Sequence, residues 1–118
     1  KDVARIEDVK ALKERQFVED SSPMAHPIQP KSYISMNNFY TSTVYEKGAE
    51  VIRMIHTLIG REKFYNAMQI YFDKFDGQAI TTDDFLWAMS KGADIDLTQF
   101  RRWYDQVKTP KLIVKESY

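Results

Sequence analysis

The stretch MNNFYTSTVYEKGAEVIRMIHTLIG, residues 36–60, carries the longest well-patterned helix of the sequence. Val44, Val51, Ile52, Ile55, Leu58 and Ile59 recur at helical spacing and predict one apolar stripe along a helix over 43–59. Thr43 and Glu46 fit a capping box, in which a hydroxyl and a carboxylate three residues apart each accept the other's backbone N–H. Gly60 stands where a left-handed cap would close the helix. Tyr45 falls in the first turn, beside the stripe and near the positive end of the helix dipole. Gly48 lies inside the helix, where glycine costs roughly 1 kcal/mol relative to alanine, and it predicts a close neighbour.

Upstream of this stretch, Val3, Ile6, Val9 and Leu12 predict a helix over 2–18 with a shallow packing face. Pro23, Pro27 and Pro30 then disfavour helix in the residues before them, and Met24, Ile28, Tyr33 and Ile34 are too apolar for a free linker, so 19–35 reads as an ordered, extended loop. Downstream, Phe64, Met68, Tyr71, Phe72 and Phe75 predict a helix over 61–75, stopped by Asp76-Gly77. Thr81 and Asp84 provide a second capping signal, ahead of a short helix burying Phe85, Leu86 and Met89 and ending near Gly92. Asp94 or Asp96 caps a further helix over 97–107, with Leu97, Phe100, Tyr104 and Val107 inward. Thr109-Pro110 breaks the pattern, and Lys111-Leu112-Ile113-Val114-Lys115 reads as a strand. The expected fold is all-α, an irregular bundle of about five helices with a short C-terminal β strand.

At 118 residues the chain is one domain or a piece of one. Hydrophobic residues at 43% suffice for a small core. Seventeen basic and seventeen acidic residues cancel and are interspersed, so no field draws nucleic acid or anionic lipid. The absence of cysteine excludes disulfides and thiol catalysis within these residues. No apolar run approaches the ~20 residues of a membrane span, and the first residues lack a signal-peptide core. The missing initial Met points to a piece of a longer chain.

Few residues offer chemistry. The two histidines, His26 and His56, stand 30 positions apart, and neither belongs to an HExxH. No metal ligand set is therefore assigned; His26 reads as a hydrogen-bonded loop residue and His56 as a packed or partly exposed helix residue. The glycines are too scattered for a phosphate loop. Asp83-Asp84 and the Asp94/Asp96 pair lie at helix starts, where capping explains them. On its own residues, Tyr45 reads as a core or rim side chain.

The strings VYEKGAEVIRMIH and SPMAHPI closely resemble the aminopeptidase N family, in its bacterial branch. These are gluzincins, zinc metallo-aminopeptidases with a thermolysin-like catalytic domain, and the resemblance runs through nearly the whole chain. It implies that 1–108 form the C-terminal helical part of that catalytic domain and that 109–118 begin a following β domain. The implied activity is zinc-dependent hydrolysis of N-terminal amino acids from peptides. Tyr45 matches the family tyrosine whose hydroxyl meets the developing oxyanion of the scissile carbonyl. Asn37 and Tyr40 match positions near the pocket for the substrate's first side chain. Their alternatives are a turn amide for Asn37 and a hydrophobic staple for Tyr40.

The family's HExxH, its third zinc-ligand Glu and its motif for the substrate's free amine lie upstream in relatives, and none occurs here. The resemblance thus places zinc in the parent enzyme and none on this chain, which alone is expected to be inactive. The implied partners are peptide substrates and the N-terminal half of the catalytic domain, with self-association through the apolar surface that half would leave. A cytoplasmic location is expected from the missing signals and the resemblance. The competing reading is a helical interaction module without chemistry.

Overall fold

The structure is a computed structural model describing residues 2–118; Lys1, the first residue of the expected 1–108 domain, lies outside the described residues. The chain divides into two compact units. One runs to Lys47 and takes up Gln106–Tyr118, and the other is Gly48–Asp105.

The first unit opens with α1 (Asp2–Ala11), a π-helical turn (Leu12–Gln16) and α2 (Phe17–Ser21), one unbroken helical run. The run outlasts the expected 2–18 by one turn. It ends where the Ser22 hydroxyl and amide both donate to the Glu19 carbonyl, at 2.7 and 3.1 Å. The Pro-rich segment that follows is irregular up to a 3₁₀ turn, Met36–Phe39. Its apolar residues, expected to hold the loop against the protein, are largely exposed: Met24 75%, Tyr33 56% and Ile34 101%. Tyr33 still packs edge-on against Phe39 at 4.6 Å. A second π-helical turn, Thr43–Lys47, completes the helical part of this unit.

The second unit contains α3 (Gly48–Ile59), α4 (Arg61–Phe75), α5 (Thr82–Ala93), a 3₁₀ turn (Thr98–Arg101) and α6 (Arg102–Asp105). Gly60, at φ +81°, separates α3 from α4, and a backbone with positive φ is why glycine stands there. The Thr81–Asp84 capping box forms as expected, with Thr81 N–H donating to Asp84 Oδ2 at 2.8 Å and Asp84 N–H to Thr81 Oγ1 at 3.3 Å. Asp96, rather than Asp94, receives the Thr98 amide, at 2.8 Å. Asp94 instead closes α5 in the left-handed region, φ +54°.

The buried apolar residues all fall in this second unit: Val51, Ile55 and Ile59 of α3, Ala67 of α4, Leu86, Ala88, Met89 and Ala93 of α5, then Leu97 and Tyr104. The stripe on α3 is narrower than its sequence pattern, since Ile52 and Leu58 are exposed, as is Phe72 of α4. A helix stripe about 100° wide holds only the i, i+4, i+8 row at its centre, and flanking positions stay at the rim. The residues buried in the first unit are polar: Gln16, Asp20, Thr43 and Lys47.

The all-α expectation holds. The C-terminal strand does not form: no strand occurs among the described residues, and Leu112, Ile113 and Val114 are 81–85% exposed. A strand needs a neighbour to accept and donate its backbone hydrogen bonds, and this segment finds none. No helix among the described residues is long and apolar enough to cross a membrane.

Candidate active site

Tyr45 sits at the centre of the π-helical turn Thr43–Lys47. A π turn closes hydrogen bonds five residues apart and holds one residue more than an α turn, so it persists only where its surroundings favour it. Here both ends are tied to consecutive residues of α2. At one end, Thr43 N–H and Thr43 Oγ1–H both donate to Glu19 Oε1, at 2.8 and 2.6 Å. Gln16 Nε2 adds a longer bond to Thr43 Oγ1, at 3.4 Å. At the other end, Lys47 Nζ donates to Asp20 Oδ2 at 2.9 Å and to the Lys108 carbonyl at 3.2 Å. The Lys108 amide returns to Asp20 Oδ1 at 2.9 Å. Lys108 adopts φ +74°, uncommon for a residue with a side chain, and these two bonds fix it.

Asp20 is almost fully buried. Burial pushes its carboxyl up, but hydrogen bonds from Lys47, Gln16 and the Lys108 amide outweigh burial and hold it below the ordinary carboxylate range.

The expected cap at Thr43–Glu46 is not the one that forms. Thr41 caps the turn instead: its Oγ1 accepts from the Val44 amide at 3.2 Å and its carbonyl accepts from the Tyr45 amide at 3.0 Å. Glu19, 24 residues away in sequence, takes the amide and hydroxyl of Thr43. Glu46 is displaced from the cap, and its Oε2 is buried without a hydrogen-bond partner. His26 meets its expectation as a hydrogen-bonded loop residue. Its Nδ1 pairs with the Met24 carbonyl and its Nε2 with Thr41 Oγ1, each at 2.8 Å. A neutral ring protonated on Nδ1 satisfies both: Nδ1–H donates to the carbonyl and Nε2 accepts the Thr41 hydroxyl.

This frame leaves Tyr45 56% exposed, and its hydroxyl has no hydrogen-bond partner among the described residues. Tyr40 stacks on it, ring centroids 6.2 Å apart with an interplanar angle of 25°, and is itself exposed. Neither ring is covered, so Tyr45 is no core side chain; with Thr41 as the cap, Tyr40 precedes it and packs on Tyr45 in the position of a hydrophobic staple. Asn37 lies in the 3₁₀ turn. The turn-building amide there is its neighbour Asn38, whose Oδ1 accepts the Ile34 and Ser35 amides at 3.0 and 2.8 Å. The Asn37 side chain has no hydrogen-bond partner among the described residues and helps line a pocket of about 590 Å³ with Met24, His26, Tyr33, Ile34 and Thr41. Tyr40 and Tyr45 form a stacked pair outside that lining. The structure thus places Tyr40 beside Tyr45 and sets Asn37 in a neighbouring concavity.

The chain belongs to peptidase family M1. The Peptidase family M1 domain matches residues 3–104. Aminopeptidase N of Escherichia coli (strain K12) is 59% identical over 116 residues, which cover 98% of this chain and 13% of that protein. Aminopeptidase N of Haemophilus influenzae is 56% identical over the same length, and that of Caulobacter vibrioides 44%, each with 98% of this chain and 13% of the relative covered. The chain thus spans 13% of the length of these M1 relatives.

Zinc, which the resemblance implies for the family, finds no ligand set among the described residues. His26 is engaged at both ring nitrogens, and His56 packs edge-on against Phe64 at 5.0 Å. No group of three or more His, Cys, Asp or Glu that could hold a metal occurs among the described residues.

Local spacing did not reveal the Glu19–Asp20 frame. One signal was present. Lys47 stands three residues after Val44 and four before Val51, on the apolar row, and a lysine in such a position calls for a buried acid.

Proposed function

We propose that this chain is the part of a metallo-aminopeptidase catalytic domain that supplies its oxyanion donor, Tyr45, and one side of its substrate pocket, Asn37 and Tyr40. The observation that carries the reading is the exposed Tyr45, whose hydroxyl has no partner among the described residues, on a turn tied at both ends. A phenol held in this way is a preorganised donor: it gives up no existing protein hydrogen bond when negative charge develops on a carbonyl oxygen. Tyr40 stacked on it offers an aromatic wall, and the Asn37 amide offers donors and an acceptor to a peptide. The reaction is hydrolysis of the bond after the N-terminal residue of a peptide.

Zinc, when bound elsewhere in the enzyme, supplies Lewis-acid chemistry. Its ligands, and the groups that hold the substrate's amine, are assigned to the upstream half of the catalytic domain. Residues 1–108 make up the C-terminal helical half, and 109–118 lead into a β domain whose edge would pair Leu112–Val114. On this reading the exposed Ile34, Leu58 and Leu112–Val114 are covered in the parent protein and drive self-association of the isolated chain. A cytoplasmic parent is part of the same proposal.

The test is steady-state hydrolysis of an alanine anilide by a longer protein carrying this chain and the upstream region, with and without Tyr45→Phe. Loss of one oxyanion donor lowers kcat by roughly 10²–10³ and leaves KM nearly unchanged. Equal kcat for the two proteins would reduce Tyr45 to a surface residue.

A further inference from the structure

The first unit has an unusual interior, because what it buries is polar and is gathered around one turn. Gln16, Asp20, Thr43 and Lys47 are each at most 8% exposed. Thr43 and Lys47 are the first and last residues of the π turn, and Tyr45 is midway between them. Their partners, Glu19 and Asp20, are neighbours in α2, so one short element grips both ends of the turn. The opposing segment, Leu12–Gln16, is itself a π turn and contributes Gln16.

We infer that Glu19 and Asp20 are positioning residues for Tyr45: they hold Thr43–Lys47 in its π form and so set the direction of the Tyr45 hydroxyl. This rests on the proposed oxyanion role and goes beyond it by assigning what aims the donor. The geometry explains why a clamp is needed. Relaxing a π turn to an α turn removes one residue from the loop of hydrogen bonds, and neighbouring side chains rotate by about 100° around the helix axis. Beyond the bond from its amide to the Thr41 carbonyl, Tyr45 has no hydrogen bond from its hydroxyl among the described residues to resist that rotation, and its stacking partner Tyr40 is itself exposed. The resistance comes from Thr43 and Lys47. Thr43 presents both its amide and its hydroxyl to a single carboxylate oxygen, so it is held in direction as well as position. Lys47 is pinned between Asp20 and the Lys108 carbonyl, and Asp20 is fixed in turn by the Lys108 amide. A satisfied buried polar network of this kind specifies one arrangement where an apolar contact would tolerate several.

The test uses the longer protein that carries this chain, with Thr43→Val, Thr43→Ser, Tyr45→Phe and the two double variants. Valine keeps the shape of threonine and removes the hydroxyl from the Glu19 clamp, avoiding the unpaired buried charge that a change at Asp20 or Lys47 would leave. Thr43→Val lowers kcat by about tenfold to a hundredfold with little change in KM, the loss that follows from about 1 Å of misplacement. Thr43→Ser restores most of that rate. In the Tyr45→Phe background, Thr43→Val changes kcat by less than about twofold, because the donor it aims is gone.

Equal losses for Thr43→Val in both backgrounds, or full activity of Thr43→Val, overturn the positioning role while leaving Tyr45 as donor. Wild-type kcat for Tyr45→Phe removes the reading beneath it and the inference with it. A merely structural clamp would lower the melting temperature in both backgrounds and show no such dependence on Tyr45.

Discussion

Gly92 lies inside α5, yet a Cβ built on it would stand 2.4 Å from Ala67 Cα, 2.6 Å from Ala67 Cβ and 2.7 Å from Ala67 N, all on α4. Replacing it with alanine sets two effects against each other. In a helix with free space the change stabilises by roughly 0.5–1 kcal/mol, because glycine loses the most backbone freedom on folding. Here the opposing atoms are backbone, so no rotamer relieves the clash. Reaching an ordinary contact of 3.4 Å from 2.4 Å moves α4 and α5 apart by about 1 Å.

That opening loosens Ala88, Met89 and Ala93, all buried on α5. It also lengthens the bonds from Lys63 Nζ to the Ala93 carbonyl, now 3.1 Å, and from Asn66 Nδ2 to the Gly92 carbonyl, now 3.4 Å. Overpacking of this kind costs about 1–3 kcal/mol, so sterics win and the net loss is about 1–2 kcal/mol. Thermal unfolding followed by circular dichroism shows a fall in Tm of roughly 4–10 °C. Two comparisons sharpen the test. Gly77→Ala, at φ +71° with nothing within 4 Å, costs only left-handed strain, about 1 kcal/mol. Adding Ala67→Gly to Gly92→Ala removes the Cβ contact and leaves the two backbone contacts, so recovery is partial. An unchanged or raised Tm for Gly92→Ala would refute the reasoning.

Asp20→Asn leaves Lys47 buried beside a neutral partner and costs about 3–5 kcal/mol in urea unfolding, whereas the paired change Asp20→Leu with Lys47→Met costs less than either single change. Because the folded Asp20 carboxyl lies below its unfolded value near 3.9, its contribution is complete above about pH 5 and is lost as pH falls through the unfolded and then the folded value. Stability measured between pH 5 and 2 therefore drops less steeply in Asp20→Asn than in the parent, and equal slopes would show that Asp20 is not the group titrating. Tyr104 is buried with its hydroxyl unpartnered, and burial, opposed by the Arg101 charge, pushes its phenol up to about 12. Its folded value exceeds the unfolded one near 10, so stability falls as pH rises from about 10 toward 12. Tyr104→Phe removes that dependence and leaves Tm at neutral pH unchanged or higher; a clear drop in Tm would mean the hydroxyl has a partner.

The second unit was readable because its information is local. The stop at Asp76-Gly77, the Thr81–Asp84 cap and the rows through Ile55, Met89 and Tyr104 depend on residues within a turn or two of one another. The rows mark the buried centre of each helix and not its width, which is why Leu58 and Phe72 read as inward and are exposed. The tail failed for a different reason. Leu112-Ile113-Val114 has the composition of a strand, but a strand is completed by another strand, and composition cannot supply one.

The site was legible as residues and not as an arrangement. Tyr45, Tyr40 and Asn37 could be named from the strings that carry them, and the structure stacks two of them and sets the third beside a pocket. The turn that presents Tyr45 could not be read, because helical periodicity assumes 3.6 residues per turn and a π turn departs from it by one residue. The local cap signal pointed to Glu46, and the real acceptor is Glu19 on another helix. The residue that could have exposed the error is Lys47. A buried lysine on an apolar row is costly unless an acid meets it, and the acid that meets this one is Asp20, 27 residues away on α2. A lysine out of place on a helix face is therefore a better guide to this kind of site than any single aromatic beside it. It marks the turn whose geometry must be held from outside, and Tyr45 stands two residues before it.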